Sequence, residues 1–186
     1  MKTEKIFSSI FLISFLLLGC DSVTQNNLGD KIAVADRYNE IISLANPKNE
    51  SNGLILESIK SDNVEMDGTS NKWTYSFTSG GIAVTYYYHA TSESVAFDSI
   101  SKFVKLPRTQ LISHNWMNST NAIKIAENNG GEFFRLKNNK YNIETKLEEP
   151  LGYNKPTYWY ITYYSKSDIT IRMSFVIDAT TGEIKN

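Results

Sequence analysis

Apolar and polar residues alternate along two stretches of this chain, and each stretch predicts a β-hairpin. In the first, Trp73, Tyr75 and Phe77 alternate with polar neighbours, Gly80-Gly81 supplies a turn, and Ile82, Val84, Tyr86 and Tyr88 resume the alternation. In the second, Trp159, Ile161 and Tyr163 alternate, Ser165 to Asp168 form the turn, and Ile169, Ile171, Met173, Phe175 and Ile177 follow. A period of two sends one face of each strand into a core and the other toward water. Laid on each other without gaps, Ile82, Val84, Tyr86 and Tyr88 fall on Ile171, Met173, Phe175 and Ile177. His89 to Val95 (HATSESV) then falls on Asp178 to Ile184 (DATTGEI). This correspondence predicts an internal duplication.

A helical period precedes each hairpin. Ile32, Ala35, Tyr38, Ile41, Ile42 and Ala45 recur at threes and fours, so 30–45 reads as a helix with Asp30 as its N-cap and Asn46-Pro47 as its stop. Ala122, Ile123, Ile125 and Ala126 mark a second helix, capped by Asn118 or Ser119 and ended at Gly130-Gly131 through a left-handed C-cap. Leu54–Ile59, Glu132–Leu136 and Tyr141–Leu147 read as strands, while 94–106 fits strand and helix equally. With Pro107 between the halves, the expected fold is α+β: two repeated units, each one helix packed on an antiparallel sheet of about four strands. Their bounds are 30–107 and 108–186.

The start of the chain has a different character. Lys2 and Lys5 form a basic head, and Ile6–Leu18 is almost wholly apolar, too short to span a bilayer comfortably but suited to a secretory signal peptide. Leu17-Leu18-Gly19-Cys20 resembles the lipobox of bacterial lipoproteins at all four positions. That resemblance implies a signal peptide over 1–19, cleavage before Cys20, and acylation of Cys20, with 20–29 as a polar tether. Two or three acyl chains hold a protein stably to a membrane, whereas one does not. Cys20 is the only cysteine, so no disulfide can form within the chain.

Removing Lys2, Glu4 and Lys5, which carry +1, takes the formal charge from −1 to −2. No basic surplus remains for nucleic-acid phosphates, and no polybasic run adds attraction to anionic lipid. Asp21 behind the anchor resembles a retention signal of enterobacterial lipoproteins, and the acidic cluster used elsewhere for surface display is missing. A periplasm-facing place in the cell envelope is therefore expected over surface exposure. The aromatic share of 12% is enough to fill a core without disulfides.

Trp116 to Gly131, the Trp159 strand, and Phe175-Val-Ile-Asp-Ala-Thr-Thr-Gly-Glu-Ile184 together resemble a PepSY-like domain. The family pattern has a Trp-x-x-Asp-Ser-x-x-Ala helix entry, a central aromatic strand and a final Asp-Ala-x-Thr-Gly-Glu turn. Here Asn118 replaces the aspartate, Asn121 stands where glutamate would complete a capping box, and the first half keeps only Ala90-Thr91 of the ending. The resemblance implies a cystatin-like α+β fold in secreted or membrane-associated proteins that bind or restrain proteases and other envelope partners. It implies no catalytic residue.

The candidate chemistry is sparse. His89 and His114 are the only histidines, and no zinc-binding spacing exists, so no metal and no cofactor is expected. Were the halves packed pseudo-symmetrically, His89 would meet Asp178 as a base with an orienting carboxylate. Solvated turns are the better reading, because catalysis needs a nucleophile and a third group. Asp178 is expected to accept N–H groups of its own turn while Gly182 takes positive φ. Glu148-Glu149 read as a solvated loop, and neither glycine pair has a phosphate-binding context. Tyr87, Tyr158, Tyr160 and Tyr164 fall on the face opposite the core residues, a possible partner-binding face, since exposed aromatics are enriched at interfaces. The competing reading packs that face against the other half. The expected function is a non-catalytic binding or inhibitory module, held to the membrane through Cys20 and facing an envelope protein. A structural accessory of envelope assembly is the second reading, and an enzyme the third.

Overall fold

The structure, a computed structural model, describes residues 30–45, 54–79, 82–102, 112, 115–150 and 155–185. The expected signal peptide and tether, Cys20, Asn46-Pro47, Gly80-Gly81, Pro107 and His114 lie outside the described residues.

Eight strands form one antiparallel sheet: β1 (Leu54–Ser61), β2 (Trp73–Ser79), β3 (Ile82–Ala90), β4 (Val95–Ser101), β5 (Tyr141–Glu148), β6 (Tyr158–Ser165), β7 (Arg172–Asp178) and β8 (Ile184–Lys185). Their spatial order is β4-β3-β2-β1-β5-β6-β7-β8. The expectation of two repeated helix-on-sheet units is therefore wrong. The finding that overturns it is the pairing of β1 with β5 through Ser58↔Glu148, Ile59↔Leu147, Lys60↔Lys146 and Ser61↔Thr145. An exposed strand edge carries unpaired N–H and C=O groups. Here the two edges that would bound separate sheets satisfy each other, so the sheet continues through the middle of the chain. The expected packing of one half's face on the other does not occur either.

The core lies on one face. Trp73, Tyr75, Phe77, Ile59, Ile143, Leu147, Trp159, Ile161, Tyr163 and Ile177 on that face are fully buried. Over them lie α1 (Tyr38–Ala45) and two helices, α2 (Ser119–Ala126) and α3 (Glu132–Lys137), joined through a kink at Asn129-Gly130. Trp73 Nε1 donates to Ile32 O (2.9 Å), Tyr75 OH to Val34 O, and Trp159 Nε1 to Met117 O (3.0 Å). The backbone entering each helix is thereby fastened to the aromatic row beneath it. The two indoles also meet edge-on at 6.4 Å between ring centres.

That fastening explains one correction. The first helix begins at Tyr38 rather than Asp30, because Ile32 is held extended against Ser70, with N–H···O bonds of 3.0 and 2.9 Å in the two directions. Val34 N–H goes to Ser119 Oγ (3.1 Å) and Ala35 N–H to Asn118 Oδ1 (3.2 Å), so tertiary partners take the place of an Asp30 cap. In the second helix the N-cap is Asn118, one of the two candidates, accepting Ser119 N–H at 2.8 Å.

A second correction concerns Glu132–Leu136, which is helix, not strand. Gly130 does take the left-handed conformation (φ 122°), yet Gly131 returns to φ −58° and the helix resumes. The Glu127 carboxylate draws the two segments together. Arg135 Nε donates to it at 3.0 and 2.9 Å, and Tyr163 OH at 2.8 Å. Gly131 has no room for a side chain, since an added Cβ would stand 2.7 Å from the Tyr163 hydroxyl. The ambiguous 94–106 stretch is strand β4 over Val95–Ser101.

Candidate functional site

The sheet face opposite the core carries no helix among the described residues. Reading across its register, one row runs Ser99, Tyr87, Ser76, Ser58, Glu148, Tyr158 and Asp178 from β4 to β7. The next runs Ala96, His89, Thr74, Lys60, Lys146, Tyr160 and Val176. All four tyrosines singled out from the alternation are on this face, each half-buried. The structure brings two of them into contact and leaves Tyr164 further along the same strand. Tyr158 and Tyr160 meet edge-on at 6.4 Å, and Tyr164 OH accepts from Asn142 Nδ2 (2.7 Å) and donates to Glu144 Oε1 (3.0 Å). Tyr87 stands apart from them, in the same row as Tyr158 but four strand spacings away, about 19 Å at roughly 4.8 Å per strand. Ser58 and Ser76 lie buried between, so small hydroxyl residues separate the aromatic groups.

His89 does not meet Asp178. Five strand spacings divide β3 from β7, about 24 Å. His89 Nε2 instead pairs with Asp98 Oδ1 (3.0 Å), and its Nδ1 lies 3.2 Å from Thr74 Oγ1. Sequence spacing missed Asp98 because a bulge brings it there. The β3–β4 register slips between Tyr87 and Tyr88, leaving Asp98 unmatched between Phe97 and Ser99. A bulge turns its extra residue onto a face the alternation would not give it. The Ser99 hydroxyl first, then the neighbouring His89 and Lys72, hold the Asp98 carboxyl below its ordinary range.

Thr74, His89 and Asp98 thus share the atom types of a nucleophile–base–acid chain. Cross-strand neighbours on a sheet face meet in this way without any catalytic role. A cleft of about 210 Å³ next to Thr74 is bounded by Ser61, Asn63, Ser70 and Lys72. Its hydroxyls are already engaged: Ser61 and Ser70 bond each other (2.8 Å), and Ser70 Oγ lies 2.9 Å from Asn63 O.

The remaining acidic candidates are accounted for locally. Asp178 Oδ1 accepts Thr180 and Thr181 N–H (3.0 and 2.9 Å) while Gly182 sits at φ 79°, the turn expected from the sequence. Glu148 and Glu149 are not a solvated loop: Glu148 ends β5 and binds Lys146 Nζ at 2.6 Å, and Glu149 is buried. The strand had simply run on further than the apolar residues marked. Among the described residues no group of three or more His, Cys, Asp or Glu is placed to hold a metal ion. Nor is any helix there long and apolar enough to cross a membrane.

No protein-family model and no curated protein matches this chain, so the PepSY-like resemblance rests on the quoted residues alone. Among solved structures, the chain is similar to a "putative lipoprotein" of Clostridium difficile 630, at 17% identity and a TM-score of 0.47, with 80% of this chain and 90% of that one covered.

Proposed function

We propose that this chain is a lipid-anchored protein of the bacterial envelope that works as a non-catalytic binding module. The observation that carries the reading is Leu17-Leu18-Gly19-Cys20, set directly behind the apolar Ile6–Leu18 run and holding the only cysteine. The binding part is supported by the helix-free face. It offers half-buried Tyr158 and Tyr160 beside Glu148 and Lys146, with Tyr164 further along the strand beside Asn142, a mixture of rigid aromatic area and charge that suits a protein partner. The helices and the aromatic core fall on the other side of the sheet, so a partner seated here leaves the fold undisturbed.

Metabolic labelling with palmitate tests the anchor. The wild-type chain is expected to carry label and to fractionate with membranes, and Cys20→Ser to lose both. A photo-crosslinking residue at position 160 tests the face, with position 163 on the buried side as its control. A discrete adduct with an envelope protein at 160 alone is the expected result. Hydrolytic turnover that vanished in His89→Ala would overturn the non-catalytic reading.

A further inference from the structure

The alternation that predicts β7 counts Ile169 and Ile171 among its core residues, but β7 begins at Arg172. Ile169 and Ile171 belong to the turn after β6 and are 73% and 48% exposed. Ile171 N–H closes that turn on Asp168 O (3.1 Å), and Asp168 Oδ1 accepts Thr170 N–H (2.9 Å). The turn is thus ordered, and it holds two large apolar side chains out in water.

They have company. The β6–β7 turn touches the α3–β5 connection, where Lys166 N–H donates to Lys140 O (2.9 Å). Helix α3 ends at this same extremity, with Arg135 over the ring of Tyr141, the first residue of β5. It buries Phe134 inward and leaves Phe133 and Leu136 at 66% and 73% exposure. Met66, 58% exposed, lies in the β1–β2 connection at this end also. Five of the eight large apolar side chains exposed among the described residues therefore gather at one end of the sheet. Adjoining the four on α3 and the turn in sequence are Lys137, Lys140, Lys166 and Arg172, against Glu132 and Asp168, while the connection that holds Met66 carries Asp62, Asp67 and a Glu65 paired with Lys31. No run in the sequence contains these cations; the fold assembles them from two segments, 137–140 and 166–172.

The chain enters the domain at the same end. Ile32 pairs with Ser70, which lies just ahead of β2, so the residues leading back to Cys20 start from the extremity that holds the exposed apolar group. Nine residues separate Cys20 from Asp30, ten steps with a reach of at most about 35 Å when fully extended.

We propose that this end of the sheet rests on the bilayer that holds Cys20, with Phe133, Leu136, Ile169 and Ile171 seated among the lipid headgroups and the surrounding cations against anionic lipid. The inference depends on the anchor reading above and adds an orientation to it. Apolar side chains rimmed by lysine and arginine are the composition of a surface that lies in a membrane interface. A short tether leaving from that very end keeps it within reach. The face that carries no helix among the described residues then stands on the flank.

The test uses the full acylated protein in vesicles of phosphatidylethanolamine and phosphatidylglycerol. A polarity-sensitive fluorophore is placed at Ile169→Cys or Leu136→Cys, and at Ile100→Cys on β4 toward the opposite end as control. All three positions are exposed, so the fold tolerates them, and the native Cys20 is blocked by its acyl group. Probes at 169 and 136 are expected to shift to shorter wavelength and to be quenched by nitroxide-bearing lipid, and the probe at 100 to do neither. Protein that floats with the vesicles while all three probes stay in water keeps the anchor and overturns the orientation. Protein that does not float overturns the anchor, and the orientation with it.

Discussion

The two faces of the sheet use the same residue types to opposite ends. On the covered face, Tyr75 and Tyr163 are wholly buried and each hydroxyl has a fixed acceptor, Val34 O and the Glu127 carboxylate. Burial, and then the bond to Glu127, push the Tyr163 phenol well above its ordinary value, so it stays a donor at any physiological pH. On the other face, bare of helices among the described residues, Tyr158, Tyr160 and Tyr164 keep part of their rings in water. Ion pairs divide likewise. Arg135–Glu127 on the covered side has side chains only 17% and 13% exposed, whereas Lys146–Glu148 on the bare side has 44% and 20%. The strand period assigns each residue to a face, but what lies on the face decides whether it stabilises the fold or remains available.

The largest effect expected from this contrast is at the indoles. Trp73→Ala or Trp159→Ala removes a fully buried ring; the first takes one of two donors from Ile32 O, which keeps Ser70 N–H, and the second takes the indole donor from Met117 O. Each is expected to cost about 3–5 kcal/mol in urea unfolding. Tyr160→Ala on the bare face should cost about 1 kcal/mol, a typical value for a single substitution. Equal losses at both sites would mean that the bare face is packed as tightly as the core.

The next effect tests the ion pairs. Glu127→Gln strips Arg135 and Tyr163 of a shared carboxylate in a nearly dry setting, and a loss of about 3 kcal/mol is expected. Glu148→Gln, whose lysine partner is well solvated, should cost under about 1 kcal/mol. Adding Arg135→Met to Glu127→Leu should recover much of the loss, because the cost comes chiefly from the charge left behind. Failure of that rescue would point instead to the kink at Asn129-Gly130 as the sensitive element.

How far the sequence reveals all this depends on which force was at work. Where local chemistry decides, residues read correctly: the Asn118 cap, the Asp178 turn with Gly182, and the inward rows of Trp73, Tyr75, Trp159 and Tyr163. Where a distant partner decides, they do not. The β1–β5 seam is made of backbone bonds, which every residue can form, so nothing in Ser58–Ser61 or Thr145–Glu148 marks them as neighbours. Asp30 has the chemistry of a cap, but Trp73 and Tyr75 capture the backbone past it. Phe133 and Phe134 look like strand residues until Arg135 and Tyr163 close on Glu127. The tyrosine face was visible in the alternation, while the separation of Tyr87 from the β6 group follows from strand order, which alternation does not encode. Asp98 beside His89 needed a bulge that no turn residue announces.

The smallest effect expected also lies on the bare face, at that bulge. Ser99, His89 and Lys72 favour the charged form of Asp98, so its carboxyl is depressed in the folded protein relative to the unfolded chain. A depressed acid contributes stability above its unfolded value, near pH 4, and that contribution fades as pH falls through the folded value. Thermal melts should therefore separate wild type from Asp98→Asn slightly at neutral pH and converge as the pH drops well below 4. Ser99→Ala, which removes the first of the three influences, should narrow the separation without abolishing it. A gap between wild type and Asp98→Asn that stayed constant down to pH 2 would show that the carboxylate's charge is irrelevant there. Asp98 would then hold the edge strand through the geometry of the bulge alone, and His89 would be no more than its cross-strand neighbour.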